Sequence, residues 1–276
     1  PVGGARAFGL RVDSRTPGYE QLGTVWLPLP HALMLPLVRY DSLWRSGLAG
    51  AIPAAACFIL AAAFLYAALR RATGSRAAAV SAVAVFSLNP NLLYLQSTPM
   101  TEPIFFAAFA AVVYFCVSYQ AEPRLWRALA AGAAMLAATL TRYEGWFAIP
   151  FVAVFFLLAG SRTAAAVFLV VAGLGPLYWL GHNWYFYGDA LEFYRGPYSA
   201  QAIYARGLAR GHAPFPGEHD LPAAWLYYRT AAETVLGRPV VWLGGVAAVV
   251  VAIRRTTRPL LLLAAPAAFY LLSLYG

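Results

Sequence analysis

Long apolar stretches alternate with short polar turns along most of this 276-residue chain. A helix that crosses a membrane needs ~20 apolar residues, and most of the stretches approach that length. The pattern therefore predicts an all-α fold, a polytopic transmembrane helical bundle with about eight spans. The stretches cover residues 47–69, 77–95, 103–119, 128–141, 146–160, 163–181, 239–253 and 259–275.

The same pattern divides the chain into four parts. We expect an extracytoplasmic and interfacial segment over 1–46, a six-span core over 47–181, an extracytoplasmic loop over 182–238, and two further spans over 239–276. Prolines at three positions make the first part a poor span, because proline in a helix interior removes a hydrogen bond. We also expect a first helix to lie upstream of Pro1.

Arginine marks one side of the predicted membrane. Positive charge in short loops is typical of the cytoplasmic side, and all four Arg-bearing turns predict the same orientation. Of the eleven acidic residues, only Glu122 falls on that side. The arginines in these turns are Arg70, Arg71, Arg76, Arg124, Arg127, Arg162, Arg254, Arg255 and Arg258.

Composition agrees with a membrane protein. Hydrophobic residues make up 61% of the chain and charged residues 11%, against roughly a quarter charged in soluble domains. The net charge of +9 does not indicate nucleic-acid binding. Nine of the twenty basic residues lie in the inner turns, where they serve topology and contact with anionic membrane lipids, and the other eleven lie outside among the acidic residues. The Ala-rich, all-Arg composition suits an integral protein of a bacterial inner (plasma) membrane. The ten acidic residues on the outer side indicate that its active face is extracytoplasmic.

Several segments between residues 16 and 145 resemble a known superfamily. They are Trp26-Leu-Pro-Leu-Pro-His31, Arg45-Ser-Gly-Leu-Ala-Gly-Ala-Ile-Pro53, the span ending in Arg70-Arg71, and Leu88-Asn-Pro-Asn with its continuation to Glu102-Pro103. This order is similar to the GT-C superfamily of membrane glycosyltransferases. The protein O-mannosyltransferase and aminoarabinose transferase branch, which includes the bacterial RgtA/B/C/D-like domain, is the nearest.

The resemblance implies transfer of a sugar from a polyprenyl-phosphate carrier to a glycan, lipid or protein acceptor on the extracytoplasmic face. It also implies a catalytic Asp near the top of the first helix. Residues 1–12 contain no acidic residue, and Asp13 comes later than the family pattern places it. That Asp therefore lies upstream of Pro1 or is absent.

Two carboxylates at outer helix ends are the candidate catalytic residues, Glu102 and Glu144. Glycosyl transfer to a hydroxyl needs a carboxylate to accept its proton and a cationic or metal partner for the departing phosphate. The alternative for Glu102 is helix capping, because an acid in the first turn stabilises the helix dipole. The cofactor is unknown, and a divalent cation such as Mg²⁺ or Mn²⁺ stays open although no metal-ligand spacing occurs.

Arg142 and Tyr143 are candidate substrate-binding residues beside Glu144. Arginine suits phosphate because it offers two parallel hydrogen bonds. Positions i and i+2 face apart on a helix, so a continuing helix would leave Arg142 without a local ion pair and free for the donor phosphate. Snorkelling beside Trp146 is the alternative.

The other candidate substrate-binding residues lie in the predicted outer segments. They are Glu20, His31, His182, Asp189 and Arg195. Structural or solvated roles remain open for each of them.

Two other function classes stay open. A non-catalytic membrane subunit or scaffold of cell-envelope assembly would keep the fold without the chemistry. A transporter would show charged groups at mid-helix and a repeated half, and neither is visible in this sequence.

Overall fold

The computed structural model describes residues 22–253 and 258–276. The candidate residue Glu20, together with Asp13, Arg254 and Arg255, lies outside the described residues. All regular secondary structure in the described ranges is helical, as the sequence predicts. The helices are α1 (Pro28–Val38), α2 (Asp41–Ser46), α3 (Leu48–Thr73), α4 (Arg76–Ser87), α5 (Pro90–Gln96), α6 (Glu102–Ala121), α7 (Leu125–Thr139), α8 (Glu144–Leu158), α9 (Arg162–Tyr187), α10 (Glu192–Arg195), α11 (Ala200–Ala209), α12 (Leu221–Leu236), α13 (Arg238–Ile253) and α14 (Arg258–Tyr275).

Three helices of the described chain, α3, α6 and α9, are long and apolar enough to cross a membrane alone. Two bent pairs, α4 with α5 and α12 with α13, raise that number to five if each pair is one span. The helices α1, α7, α8 and most of α14 are apolar but shorter. The chain is an integral membrane protein with several apolar spans, and the count of about eight stays a prediction.

The core lies where α6, α7, α8 and α9 pack together, with α3 against α6 and α14 against α8. Its largest fully buried side chains include Phe155, Phe156 and Phe168. Alanines fill most of the facing positions on α7 and α9, and small residues let membrane helices approach closely. At Gly132 a Cβ atom would lie 2.9 Å from the Cβ of Val171, so glycine is required for the α7–α9 contact.

Four charged residues join the helices at one end of the bundle. Arg71 at the end of α3 lies 2.8 Å from Glu122, which also pairs with Arg127 at 2.7 Å and with Arg124 at 3.7 Å. The hydrogen bond from Arg127 is the main reason that the pKa of Glu122 is lowered, and the hydrogen bond from Arg71 contributes next. This end of the bundle is therefore held by an arginine network around one carboxylate.

The structure shows helix breaks and additional helices at two places where the sequence-based elements had none. The stretch 77–95 is two helices bent by 67°, because Asn89 caps a new helix that begins with Pro90. The predicted loop 182–238 is also largely helical. Helix α9 continues to Tyr187 and ends where Gly188 adopts a left-handed conformation, and α10, α11 and α12 follow within the loop.

Candidate active site

The turn between α7 and α8 places the central arginine of the site. Helix α7 ends at Thr139, and the backbone of Arg142 still donates to the carbonyl of Ala138 at 3.0 Å. At Gly145 a Cβ atom would lie 2.8 Å from the carbonyl carbon of Ala138. Glycine at this position therefore lets α8 begin directly against the end of α7, with Glu144 in its first turn.

Arg142 joins two carboxylates from different helices. Its Nη1 lies 2.8 Å from Oε1 of Glu102, and its Nη2 lies 2.7 Å from Oε1 of Glu144. Nη1 also donates to the hydroxyl of Thr101 at 3.1 Å. Thr101 precedes α6 but makes no side-chain cap, so its hydroxyl is available to the arginine. With one cation and two anions, the cluster carries a net charge of −1.

This contact corrects the expectation that Arg142 has no neutralising neighbour. The expectation assumed a helix that continues past residue 141, in which positions 142 and 144 would face apart. The helix instead breaks between Thr139 and Glu144, and Glu102 approaches from α6. Burial acts against the charged guanidinium, but the two carboxylates more than offset it, so the pKa of Arg142 lies above its ordinary value.

The two carboxylates differ in burial and in partners. Glu144 is 7% exposed. Its Oε1 accepts hydrogen bonds from Nε of Arg142 at 2.8 Å and from the hydroxyl of Tyr270 at 3.0 Å, and it lies 2.7 Å from Nη2 of Arg142. All three contacts are with that oxygen, and no described residue donates to Oε2 of Glu144. Glu102 also uses Oε1 for Arg142, and its Oε2 is buried without a partner among the described residues.

A cavity of about 720 Å³ opens beside the cluster. Arg142 and Glu144 line it, as does Thr101, whereas Glu102 stands behind Arg142 and is not part of the wall. The structure thus separates the two predicted catalytic carboxylates into one at the cavity surface and one behind the arginine. Other lining residues are Val25, Trp26, Leu27, His31, Thr141, Tyr143, Trp146, Phe147, Phe193, Tyr194, Ser199, Ala200, Gln201, Phe269 and Ser273.

Aromatic rings form one wall of this cavity. Tyr143 and Phe193 stack with ring centroids 5.1 Å apart, and Trp146 meets both rings edge-on. The hydroxyl of Tyr143 donates to the carbonyl of Val25 at 2.8 Å and accepts from Trp179. Burial raises the pKa of Tyr143, so this hydroxyl stays neutral and positions the ring.

His31 reaches the cavity from α1. A backbone bond from Leu29 to the carbonyl of Leu140 docks this helix on the α7–α8 turn. His31 is buried, and its Nδ1 has no hydrogen-bond partner among the described residues. With eleven residues, α1 is too short to span a membrane, and burial lowers the pKa of His31 to about 4. The imidazole is therefore neutral near pH 7.

The remaining predicted binding residues in the described chain lie away from the cavity wall. His182 stacks on Trp179 with ring centroids 4.6 Å apart, and its Nε2 lies 3.3 Å from the carbonyl of Gly23. Asp189 accepts from the backbone of Leu191 and shapes the turn after α9. Arg195 is exposed at the end of α10. The structure brings His31, Arg142, Tyr143 and both glutamates together and leaves these three outside.

A divalent cation does not fit the residues described. Within 22–253 and 258–276, no group of three or more His, Cys, Asp or Glu side chains is placed to hold a metal ion. Glu102 and Glu144 both point their Oε1 atoms at Arg142, so the guanidinium takes the place between them. No chemical step is therefore assigned to a metal here.

Sequence reasoning missed Tyr270, Thr101 and Phe193. Tyr270 lies in an apolar stretch 126 positions from its partner Glu144, and no spacing rule links positions so far apart. The sequence indicated a role for Thr101 as a helix cap, because a hydroxyl residue directly before a helix start is a common N-cap. In the structure its hydroxyl instead accepts a hydrogen bond from Arg142. Phe193 lies in the segment that was interpreted as a loop.

Residues 43–182, just over half of the chain, match the family model described as dolichyl-phosphate-mannose-protein mannosyltransferase. No curated protein and no solved structure matches the chain. The matched range contains Glu102, Arg142 and Glu144, and the match confirms the resemblance to GT-C membrane glycosyltransferases. The chain belongs to the dolichyl-phosphate-mannose-protein mannosyltransferase family and is thus a glycosyltransferase-type membrane protein related to enzymes that use a lipid-phosphate-linked sugar.

Proposed function

We propose that this protein transfers a sugar from a polyprenyl-phosphate carrier to a hydroxyl-bearing acceptor on the extracytoplasmic side of the membrane. The observation that carries the proposal is Arg142 on the wall of an aromatic cavity, held between Glu102 and Glu144. The guanidinium suits a phosphate, the rings suit a sugar and a prenyl chain, and a carboxylate can accept the proton of the acceptor.

In the proposed step, the acceptor oxygen attacks the anomeric carbon of the donor sugar. The bond from that carbon to the phosphate oxygen breaks, and the electron pair leaves with the polyprenyl phosphate. Arg142 stabilises the negative charge that develops on the phosphate. Glu144 accepts the acceptor's proton on Oε2, because it lines the cavity and this oxygen receives no hydrogen bond from a described residue.

Glu102 has a positioning role in this proposal. It stands behind Arg142 and holds Nη1 at 2.8 Å, so it directs the guanidinium toward the cavity without reaching the substrate. Its place in the first turn of α6 also stabilises that helix end by ~0.3–1 kcal/mol.

Charge at the two ends of α6 supports the extracytoplasmic placement. Helix α6 has 20 residues and begins at Glu102, so it is ~30 Å long, which is about the thickness of the hydrocarbon core. The arginine network around Glu122 follows its other end. Positive charge is typical of the cytoplasmic side, and the cavity lies at the opposite end.

Sugar transfer in proteoliposomes tests the proposed chemistry. The full-length protein is given a polyprenyl-phosphate sugar and candidate acceptors, and turnover is compared with that of Glu144→Gln, which keeps the shape of the side chain and removes its charge. We expect transfer to fall by about a hundredfold or more, as for loss of a general base. Glu218→Gln is the control, because Glu218 bonds to Tyr204 and does not line the cavity. Normal turnover in Glu144→Gln would refute this role.

Cysteine labelling tests the orientation. In a background with Cys57 and Cys116 replaced by alanine, Met100→Cys near the cavity and Ala121→Cys near the arginine network report on the two ends of α6. An impermeant maleimide added to intact cells should label position 100 and not position 121. The reverse pattern would overturn the extracytoplasmic placement.

A further inference from the structure

The contact between Arg142 and Glu144 leaves the strongest binding edge of the guanidinium incompletely used. Nε and Nη2 form the edge that normally grips two oxygens in parallel. Here Nε donates to Oε1 of Glu144 at 2.8 Å, and Nη2 lies 2.7 Å from that same oxygen as an ion-pair contact. A group with two oxygens in one plane, such as a phosphate, would satisfy this edge better than the carboxylate does.

The two carboxylates are not equally open to replacement. Glu144 and Arg142 both line the cavity, whereas Glu102 lies behind the arginine. Of the two carboxylates, Glu144 on the Nε–Nη2 edge is therefore the one that a ligand in the cavity can replace. Nη1 keeps its contacts with Glu102 and with the hydroxyl of Thr101, which also lines the cavity.

We propose that the donor phosphate displaces Glu144 from the Nε–Nη2 edge of Arg142, and that the displaced carboxylate then serves as the proton acceptor. This inference rests on the proposed function and adds an order of events to it. Before the donor binds, the guanidinium ties up Glu144. Once the phosphate takes that edge, the carboxylate is released and accepts a proton more readily, so the base is ready only when the donor is present.

Tyr270 is the residue that keeps Glu144 in place during this exchange. Its hydroxyl donates to the same Oε1 at 3.0 Å and comes from α14, a different element from the α7–α8 turn that carries Arg142. After Arg142 changes partner, this bond is the remaining described contact on that oxygen. Tyr270 is thus a positioning residue, and its loss should affect turnover rather than binding of the phosphate.

Two substitutions that remove the same charge distinguish exchange from simple electrostatics. Glu102→Gln and Glu144→Gln each delete one carboxylate charge at 2.8 and 2.7 Å from Arg142. Binding of farnesyl phosphate to the full-length protein in detergent is measured by tryptophan fluorescence, because Trp26 and Trp146 line the cavity. Farnesol, which has the same chain without phosphate, is the reference ligand.

If Glu144 competes with the phosphate, Glu144→Gln should bind farnesyl phosphate about tenfold more tightly, as expected for removal of a competing charged hydrogen bond. Glu102→Gln should show a smaller gain, and farnesol affinity should not change in either variant. Equal tightening in both variants would reduce the effect to electrostatics and overturn the exchange, as would unchanged or weaker binding in Glu144→Gln. Failure of the wild type to prefer farnesyl phosphate over farnesol would instead refute the proposed function.

Tyr270→Phe supplies an independent test that does not depend on the glutamate variants folding well. The exchange predicts that Tyr270→Phe lowers the kcat for sugar transfer about tenfold. The affinity for farnesyl phosphate and the KM for the donor should both stay within about twofold of the wild-type values. A rise in KM with an unchanged kcat would show that Tyr270 shapes the cavity rather than holding the base. That result would overturn its assigned role in the exchange.

Discussion

Replacing Arg142 with glutamine should destabilise the protein strongly, because it leaves two carboxylates without their cation. Glu144 is 7% exposed, and the side chains of Arg142 and Glu102 are 27% and 24% exposed. Removing one partner of a buried ion pair costs ~3–5 kcal/mol. Since two of the three side chains are about one-quarter exposed, we expect a loss near the lower limit, about 3 kcal/mol.

This loss translates into a measurable change in melting temperature. For chains of this size, 1 kcal/mol shifts Tm by about 2–3 °C, so Arg142→Gln should melt about 6–9 °C below the wild type. The assay is thermal unfolding of the full-length protein in detergent, followed by intrinsic fluorescence at a fixed scan rate. Arg45→Gln is the matched control, because Arg45 pairs with Asp41 at the surface, and its Tm should change by no more than about 3 °C.

A double variant shows whether the fall in Tm comes from the unpaired buried charge or from lost packing around Arg142. The double variant Arg142→Gln with Glu144→Gln removes the buried carboxylate that the first change leaves unpaired. It should recover at least about half of the lost Tm, because a neutral pair of similar volume costs much less than an unpaired buried charge. A single variant that melts within about 2 °C of wild type, or a double variant that melts lower still, would refute this account of the cluster.

Two further predictions concern titrating groups outside the membrane-spanning segments. Arg127 and Arg71 lower the pKa of Glu122, so its stabilising effect should be present above its ordinary pKa and be lost as the pH falls through the folded-state value. Glu122→Gln should melt below the wild type at pH 7, and the two should converge as the pH falls below the lowered pKa of Glu122 in the folded protein. A constant difference at all pH values would contradict the linkage. Burial lowers the pKa of His31 from 6.5 to about 4, so the unfolded chain binds a proton between those values that the folded protein does not. His31→Leu should therefore melt higher than the wild type, by a margin that grows as the pH falls from 6.5 to about 4. Sugar transfer by this variant at pH 7 should fall. A lower Tm with normal transfer would contradict both the free-energy cost of burying the imidazole and the binding role of His31.

The sequence by itself was sufficient for the membrane class, the helical fold and the family. Apolar runs near the length of a span can satisfy their backbone bonds in a membrane only as helices, so composition and spacing predict the class directly. The segments that end in Arg70-Arg71 and Glu102-Pro103 carried the resemblance, and residues 43–182 match the family. Both signals are local, because they depend on neighbours along the chain.

Helix breaks were predicted less well, because their effect depends on geometry beyond the residues that cause them. Asn89-Pro90 reads as a brief interruption of an apolar stretch, yet it bends the chain by 67°. The turn after Thr139 is equally short in sequence. It decides whether Arg142 and Glu144 face apart or meet at 2.7 Å.

Only the tertiary structure decided which polar residues share a site. Glu102 begins α6, Arg142 lies in the α7–α8 turn and Tyr270 lies in α14. They meet because α6 and α14 both pack against α8. His182 and Asp189 were also candidate binding residues in the sequence, but they form contacts away from the cavity. Long-range contacts of this kind arise from the packing of whole helices, so the charge balance around Arg142 could be determined only once those helices were placed.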